Sequence, residues 1–323
     1  MLDGVSLDQL RTFVAAVDEG SFSGAARKLR RAQSMVSDLV ANLEGQIGVT
    51  LFDRRGRYPA LTAEGRVLLA DARNILSGVD WMKARAKGMA SGLEPELSVV
   101  LDVFFPFQAV VEAAKAFRER FPAIPLRLYA EALGGAYQPV IDGRAALGIV
   151  GSLPFVPPGL VSERLTGVGL TLVAARTHPL AAIRGPIPKD VLARHMQIVL
   201  TDRTELSAGR EFGIMSSSIW RVADLFAKHA FLLHGLGWGG MPVHTIGDDL
   251  TTGRLVELQT EDVPPGGLIL PMLAVYPSAA PPGPAGRWLI ERLREGSSNL
   301  PSERAGAYLS ERCANTSPRI WQT

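Results

Sequence analysis

The chain has 323 residues, which is too long for one ordinary hydrophobic core and suits two or three domains. Hydrophobic residues make up 47% of it and charged residues 20%, and no apolar run reaches the roughly 18 residues of a membrane span. The N-terminus lacks the pattern of a secretory signal, and the lone Cys313 cannot form an internal disulfide or a cysteine-ligated zinc site. We therefore expect a cytoplasmic protein with neither a membrane partner nor a bound cofactor.

Basic residues are concentrated at two places in the first sixty residues. One cluster holds Arg27, Lys28, Arg30 and Arg31, and the second holds Arg54, Arg55 and Arg57. The formal net charge of +2 does not by itself indicate nucleic-acid binding. Two basic clusters on either side of one helix, however, are arranged as phosphate contacts are around an inserted helix. The alternative is that each cluster is an ordinary solvated surface.

Residues 7–47 show apolar residues at the spacing of three helices. Ser6 and Gln9 form a capping box, which predicts a helix that begins at Leu7. Further helices are expected over residues 22–29 and 33–47, because apolar residues recur there at helical spacing. Three short helices followed by a hairpin are typical of a winged helix-turn-helix.

The third helix is expected to present a short polar face to solvent, while its apolar residues point inward. The outward set comprises Gln33, Ser34, Ser37 and Ala41, and Asp38 is a further DNA-binding candidate. A glutamine can pair with an adenine edge in the major groove, and serines can bond to a base or a phosphate. The hairpin over residues 49–62 carries the second basic cluster at its tip, as a wing would. An ordinary exposed helix face would show the same pattern.

The stretch from Leu7 to Gly65 resembles the DNA-binding domain of the LysR-type transcriptional regulators. The matching motifs are Ser21-Phe-Ser-Gly-Ala-Ala with Leu29, Gln33 with Ser37, Leu43-Glu44, Leu51-Phe-Asp-Arg54 and Leu61-Thr62. The resemblance implies that Gln33, Ser34 and Ser37 meet the major groove. It also implies that Arg54 meets the DNA backbone or the adjacent minor groove.

Two residues depart from the family's pattern. Asp38 stands where members usually have a basic or neutral residue, and its carboxylate would repel phosphate unless it accepts from a cytosine amino group or pairs with an arginine. Ala32 replaces the usual serine or threonine, which removes a helix cap worth roughly 1 kcal/mol. Both departures affect the operator sequence rather than the domain assignment.

A long helix is expected from Thr62 to about Met89, with apolar residues at heptad spacing. This seam comprises Leu68, Ala72, Ile75, Val79, Met82 and Ala86. It predicts dimerisation, and packing on its own domain is the alternative. Gly88, Gly92 and Pro95 then mark a linker. We therefore divide the chain into residues 1–61 for DNA binding, 62–95 for dimerisation and linkage, 96–296 for effector binding and 297–323 as a loosely ordered tail.

Beyond the linker, short apolar strands alternate with amphipathic helices in two similar series. This alternation predicts two α/β lobes, each with a largely parallel sheet, around a hinged cleft like that of periplasmic binding proteins. The whole chain is thus expected to be an α+β multidomain protein. The region also resembles the effector domain of the LysR family through the segments 117–122, 174–180 and 235–242.

Ligands of α/β folds bind at the carboxyl ends of the strands, so effector-binding candidates can be chosen by position. They are Asp102, Phe104, Phe105, Glu131, Ser152, Thr201, Asp202, Arg203, Trp220 and Arg221. The two phenylalanines are expected to form an apolar wall, and Arg203 or Arg221 to pair with a carboxylate ligand. Trp220 and Arg221 are placed near the start of a helix over residues 221–234, where simple packing and pairing with Asp224 is the alternative.

Motifs of enzymes are missing from the sequence. The histidines are scattered, and neither a zinc-protease, a hydrolase, a P-loop nor a dinucleotide-binding motif is present, so we expect no catalytic and no metal residues. We expect a sequence-specific transcriptional regulator with double-stranded DNA of dyad symmetry, a small-molecule effector, a second copy of itself and RNA polymerase as partners. A solute-binding protein with a vestigial DNA-binding module is the alternative.

Overall fold

The structure, a computed structural model, describes residues 4–54, 59–207, 212–261, 263 and 267–298. They belong to two compact units whose boundary lies between Ser91 and Gly92. No helix in these ranges is both long enough and apolar enough to cross a membrane. Arg55, Arg57 and the tail from residue 299 lie outside the described residues.

The first unit is a winged helix-turn-helix followed by a long helix. Its elements are α1 (Leu7–Asp18), α2 (Phe22–Leu29), α3 (Gln33–Ile47), β1 (Phe52–Asp53), β2 (Ala60–Leu61) and α4 (Ala63–Ala90). The capping box at Ser6 is confirmed, since its hydroxyl accepts from the Gln9 amide at 3.2 Å and its own amide donates to the Gln9 side chain at 2.7 Å. β1 and β2 pair antiparallel to form the wing.

The core of the first unit joins all three short helices to the wing. Ala25 and Val36 are fully buried where α2 crosses α3. Phe52 of the wing sits edge-on to Phe13 and Phe22, with ring centroids 5.7 and 5.2 Å away. Small residues at the helix crossing and aromatic contacts under the wing therefore fix the position of α3.

The second unit contains the nine-stranded sheet. Its elements are β3 (Leu97–Asp102), α5 (Phe107–Arg120), β4 (Leu126–Glu131), α6 (Gln138–Ile141), β5 (Leu147–Val150), β6 (Leu160–Ala175), α7 (Lys189–Ala193), β7 (Gln197–Leu200), β8 (Ile219–Val222), α8 (Leu225–Leu233), β9 (Trp238–Pro242), α9 (Gly247–Thr251), β10 (Leu255–Glu257), β11 (Leu268–Pro277) and α10 (Pro284–Ser298). The strand order is β4-β3-β5-β11-β6-β9-β7-β8, with β10 added to β6.

The second unit has the two lobes that the sequence predicts, but they share this one sheet instead of having a sheet each. β3, β4 and β5 are parallel in the first lobe, and β7, β8 and β9 are parallel in the second. The long antiparallel strands β6 and β11 run through both lobes and connect them.

The helix expected over residues 221–234 starts later than predicted. Asp224 caps α8 by accepting from the Ala227 amide at 2.6 Å, so the helix begins at Leu225. Trp220 and Arg221 lie instead on β8, at the edge of the sheet. The prediction was wrong because helical spacing continues backwards through a four-residue strand, and only the cap marks the true start.

The second unit also begins earlier than residue 96. The Glu94 carboxylate accepts from the Ala285 and Gly286 amides at 3.0 and 2.8 Å, at the first turn of α10. These amides have no partner within the helix, and a carboxylate there also complements the helix dipole. The end of the expected linker is therefore anchored to the effector-binding unit.

Candidate functional site

The first turns of α3 form an exposed polar surface. Gln33, Ser34 and Asp38 are exposed, and Ser37 is half-buried. Ala32 at the N-cap makes no side-chain hydrogen bond, so the first amides of the helix are left without a capping side chain. Met35 lies on the same turn with half of its side chain exposed, and it adds an apolar group to this surface. Most of this exposed surface therefore consists of short polar side chains.

The basic residues around α3 are held in different ways. Arg31 pairs with Asp8 of α1 at 2.6 Å, and its hydrogen bond is the main reason that the pKa of Asp8 is lowered. Arg30, at the end of α2, is exposed and has a left-handed backbone with φ of 56°. Lys28 pairs with Glu19 at 2.9 Å. Arg31 thus ties the turn before α3 to α1, while Arg30 faces solvent.

Glu44 of α3 organises the wing, a role that the sequence motif alone did not reveal. One of its carboxylate oxygens accepts from the Leu51 and Phe52 amides at 2.7 and 3.1 Å, and the other pairs with Arg54 at 2.9 Å. The Arg54 guanidinium also lies over the Phe22 ring, 5.3 Å from its centroid. Arg54 is therefore pre-positioned beside α3 before any DNA is bound.

The seam predicted on α4 is divided between two surfaces. Ala72 is 2% exposed and packs in the core of its own unit together with Leu68, so Ala72 has no surface to offer a partner. Ile75 and Met82 are 50% and 63% exposed, and Ala86 is exposed as well. The apolar surface that α4 leaves exposed therefore begins later on the helix than the heptad pattern predicted.

In the second unit, Asp102 lies at the carboxyl end of β3 and is 2% exposed. Its carboxylate accepts from the amides of Phe104, Gly151 and Ser152 at 3.0, 3.1 and 2.7 Å, and from the Ser152 hydroxyl at 2.5 Å. Burial raises the pKa of Asp102, and these four hydrogen bonds oppose the rise. The Ser152 hydroxyl in turn accepts from the Leu133 amide at 2.8 Å.

Tyr137 lies near Asp102 and brings an unpaired polar group into the protein interior. Its ring is fully buried, and its hydroxyl has no hydrogen-bond partner among the described residues. Burial raises the pKa of Tyr137, and the Asp102 charge adds to the rise. A buried unpaired hydroxyl is unfavourable by about 1–3 kcal/mol.

The facing surfaces of the two lobes share one apolar cluster. From the first lobe it includes Phe104, Leu133 and Tyr137, and from the second it includes Leu200 with Leu206, Phe212 and Leu225 packed against it. Asp202 reaches across from the second lobe to accept from the Gly135 amide at 2.8 Å. The lobes are therefore in direct contact at the carboxyl ends of their strands.

Two family models together match nearly all of the described chain. The model for bacterial regulatory helix-turn-helix proteins of the lysR family matches residues 7–66, and the model for the LysR substrate binding domain matches residues 90–298. This chain belongs to the LysR family. It is a DNA-binding transcriptional regulator with an effector-binding domain.

Relatives and solved structures agree with this assignment. The HTH-type transcriptional regulator AceR of Acinetobacter baumannii is 31% identical over 74% of this chain and 79% of its own length. The uncharacterized HTH-type transcriptional regulator YeeY of Escherichia coli is 29% identical over 78% of this chain and 82% of its own. A mutant of OxyR from Corynebacterium glutamicum aligns with a TM-score of 0.55 at 21% identity, covering 91% of this chain and 93% of that one, which shows the same fold.

In this LysR-family regulator, some effector candidates are brought together and others are not. Asp102, Ser152 and Asp202 meet around the turn at Leu133, and Phe104 lies in the cluster between the lobes. Thr201 is half-buried beside Asp202, and Glu131 and Arg203 are exposed.

Three of the effector-binding candidates lie away from the contact between the lobes. Phe105 packs in the first-lobe core with Phe117 rather than in the cleft, because successive residues after β3 point to opposite faces. Trp220 and Arg221 are exposed on β8, and Trp220 lies edge-on to Phe231.

Lys228 was not singled out by the sequence, although it is the buried cation of the second lobe's α8. It is 4% exposed, and no hydrogen bond or ion pair of its ammonium occurs among the described residues. Burial lowers its pKa to about 8. Within the same ranges no group of His, Cys, Asp or Glu side chains is arranged to hold a metal. Only the packing of α8 on β9, which a sequence does not reveal, could have identified this lysine.

Proposed function

We propose that this regulator reads an operator of dyad symmetry with the α3 helices of two protomers, and that a small molecule bound between its lobes changes how it holds DNA. The observation that carries the first part is the exposed polar first turn of α3 beside the positioned Arg54. We further propose that it works by binding alone, in the bacterial cytoplasm, and that the bound dimer or tetramer contacts RNA polymerase.

The exposed half of α4 supports self-association. Heptad spacing is followed by Ile75, Val79, Met82 and Ala86. Ile75 and Met82 are at least half exposed in the single chain. Such a stripe on a monomer is an unfavourable apolar surface, and pairing two helices along it buries the stripe. Two protomers joined in this way present two α3 helices, as a dyad operator requires.

The proposed function is tested by selecting sheared genomic DNA on the purified full-length protein at near-physiological salt and sequencing what is retained. We expect short dyad sites with half-sites about one helical turn apart, upstream of genes. Retention of unrelated sequences that wash off steeply with added salt would mean backbone contact alone and would contradict sequence-specific reading.

The recognition role of Gln33 predicts a selective loss of affinity. We expect Gln33→Ala to weaken binding to the selected operator by about 1–3 kcal/mol, because one bidentate base contact is removed, and to leave binding to random DNA unchanged. Fluorescence anisotropy at fixed salt measures both affinities. Gln108→Ala makes the same chemical change at an exposed position of the other unit and should alter neither. Equal losses on both DNAs would contradict base reading by Gln33.

The dimerisation role of α4 predicts that a charge in the seam separates the protomers. We expect Met82→Glu to weaken self-association by about tenfold or more, because two carboxylates would be desolvated opposite one another. Sedimentation velocity over a concentration series measures this. Ala84→Glu, which places the same carboxylate at an exposed position away from the seam, should leave association nearly unchanged. An unaltered Met82→Glu dimer would mean that α4 is not the interface.

A further inference from the structure

A short 3₁₀ turn, Leu133–Ala136, lies in the first lobe where it meets the second. Leu133 has a positive φ of 50°, an uncommon conformation for a residue with a side chain. The turn is anchored within its own lobe, because the Leu133 amide donates to Ser152 and Ser152 donates to the buried Asp102. Its other side is free to face the second lobe.

The carboxylate of Asp202 reaches this turn from the second lobe. One of its oxygens accepts from the Gly135 amide at 2.8 Å and from the Thr204 hydroxyl at 2.7 Å, and the other accepts from the Ser207 hydroxyl. The Gly135 amide is shared with the Ala132 carbonyl at 2.9 Å, as is usual in a tight turn. Asp202 is therefore held by its own loop in the orientation that bridges the lobes.

Gly134 and Gly135 form the part of the turn that contacts the second lobe, and a side chain at residue 134 would not fit there. A Cβ on Gly134 would stand 2.7 Å from the Asp202 carboxylate and 2.8 Å from the Leu206 Cβ, and it would collide with the Thr204 hydroxyl. Any side chain at residue 134 would push the loop of the second lobe away. The sequence Leu133-Gly-Gly thus permits the closest approach of the two lobes.

We propose that the Asp202 carboxylate is a built-in substitute for an anionic group of the effector, which occupies the Gly135 amide and holds the lobes together when no ligand is bound. This rests on the proposed effector role of the cleft. The contact is charge-assisted, and the apolar cluster formed by Leu133, Tyr137, Leu200 and Leu206 lies beside it. The effector is then a carboxylate that takes the place of Asp202 and releases the loop at residues 201–207.

Charge repulsion favours a ligand carboxylate that replaces Asp202 over one that binds beside it. The Glu131 carboxylate already lies beside the same turn, since a Cβ on Gly135 would be 3.2 Å from its Oε2. A third carboxylate could not share this position with Asp202 and Glu131 without strong repulsion. An anionic ligand must therefore displace Asp202, and displacement changes how the second lobe is held. The ligand shifts the equilibrium between the two arrangements because it binds only the one from which Asp202 has left.

The test is hydrogen–deuterium exchange of the full-length protein, with and without Asp202→Ala. Removing the side chain should speed exchange of the segment 132–137 by about fivefold or more, because the Gly135 amide loses its acceptor from the second lobe. Sodium acetate at tens of millimolar should restore protection in the variant, since a free carboxylate can accept from the Gly135 amide at the emptied position. Sodium chloride at equal ionic strength should not restore it. The wild type should respond to neither salt, since its position is occupied.

Two further variants separate this contact from general effects. Asp190→Ala removes an exposed carboxylate of the same lobe, on α7, and should leave exchange of 132–137 unchanged. Gly134→Ala should imitate Asp202→Ala by pushing the loop away, and acetate should not rescue it because the obstruction remains. Unchanged exchange in Asp202→Ala, or equal rescue by chloride and acetate, would overturn the proposal. No DNA or effector enters this experiment, so its failure is distinct from failure of the proposed function.

Discussion

Asp102→Ala is expected to destabilise the effector-binding unit by about 3 kcal/mol or more. Asp102 is 2% exposed, and its carboxylate accepts from three backbone amides and one hydroxyl at the end of β3. Removing it leaves these donors without an acceptor in a largely buried position, and each unpaired buried donor costs about 1–3 kcal/mol before relaxation. Denaturant unfolding of the full-length protein, followed by tryptophan fluorescence, measures the loss because Trp238 and Trp288 lie in this unit.

Two controls define the origin of the effect. Ser152→Ala removes the hydroxyl that joins Asp102 to Leu133 and should destabilise by about 1–2 kcal/mol, less than loss of the carboxylate. Asp190→Ala removes an exposed carboxylate and should change stability by less than about 0.5 kcal/mol. An Asp102→Ala protein whose stability stays within about 1 kcal/mol of the wild type would contradict this account.

The same carboxylate connects stability to function. Through Ser152, Asp102 holds the amide of Leu133 and so fixes the turn on which the proposed Asp202 contact depends. A stable variant such as Ser152→Ala should therefore release part of that turn without unfolding the unit. We therefore propose that Asp102 and Ser152 position the turn at the cleft, and their contact with the effector stays a prediction.

What the sequence predicted well was governed by local chemistry. The cap at Ser6 and the bounds of α1 follow from side chains within a few residues of one another, and the structure confirms them. The rule that ligand sites lie at strand ends also selected Asp102, Ser152 and Asp202, which the structure brings together around the turn at Leu133. Their role in effector binding stays a prediction. Such signals need no knowledge of the tertiary fold.

What the sequence missed depended on contacts between distant segments. The heptad on α4 includes Ala72, but the helix turns that residue onto its own core. Phe104 and Phe105 are alike in sequence, and only the direction of β3 separates a cleft residue from a core residue. Gly134 and Gly135 carry no signal of their role until the Asp202 loop is placed against them.

Lys228→Met is expected to stabilise the protein by about 3 kcal/mol at neutral pH. The lysine is 4% exposed, and burial lowers its pKa from 10.5 to about 8. Its Cε lies against β9 at Gly239, where a Cβ would be only 3.3 Å away. Methionine has a similar length and no charge to desolvate, so it should fill the same space without the penalty.

The pH dependence of this effect follows from the two states of the lysine. Below pH 8 both the folded and the unfolded chain hold the proton, and the penalty is constant. Between pH 8 and 10.5 only the unfolded chain keeps it, so the wild type gains stability as the pH rises, and above 10.5 the gain is complete. The stability advantage of Lys228→Met over the wild type should therefore shrink across this pH range. The difference between the denaturant midpoints of the two proteins, taken at each pH, measures it.

Lys115→Met, which removes an exposed lysine of α5, is the matched control and should give no pH-dependent difference. A Lys228→Met protein that is less stable than the wild type at neutral pH would mean that the ammonium has a partner in solution. That result would also reassign the lysine from an uncompensated charge to a structural ion pair. A stabilised variant would instead confirm that burial of this charge opposes folding.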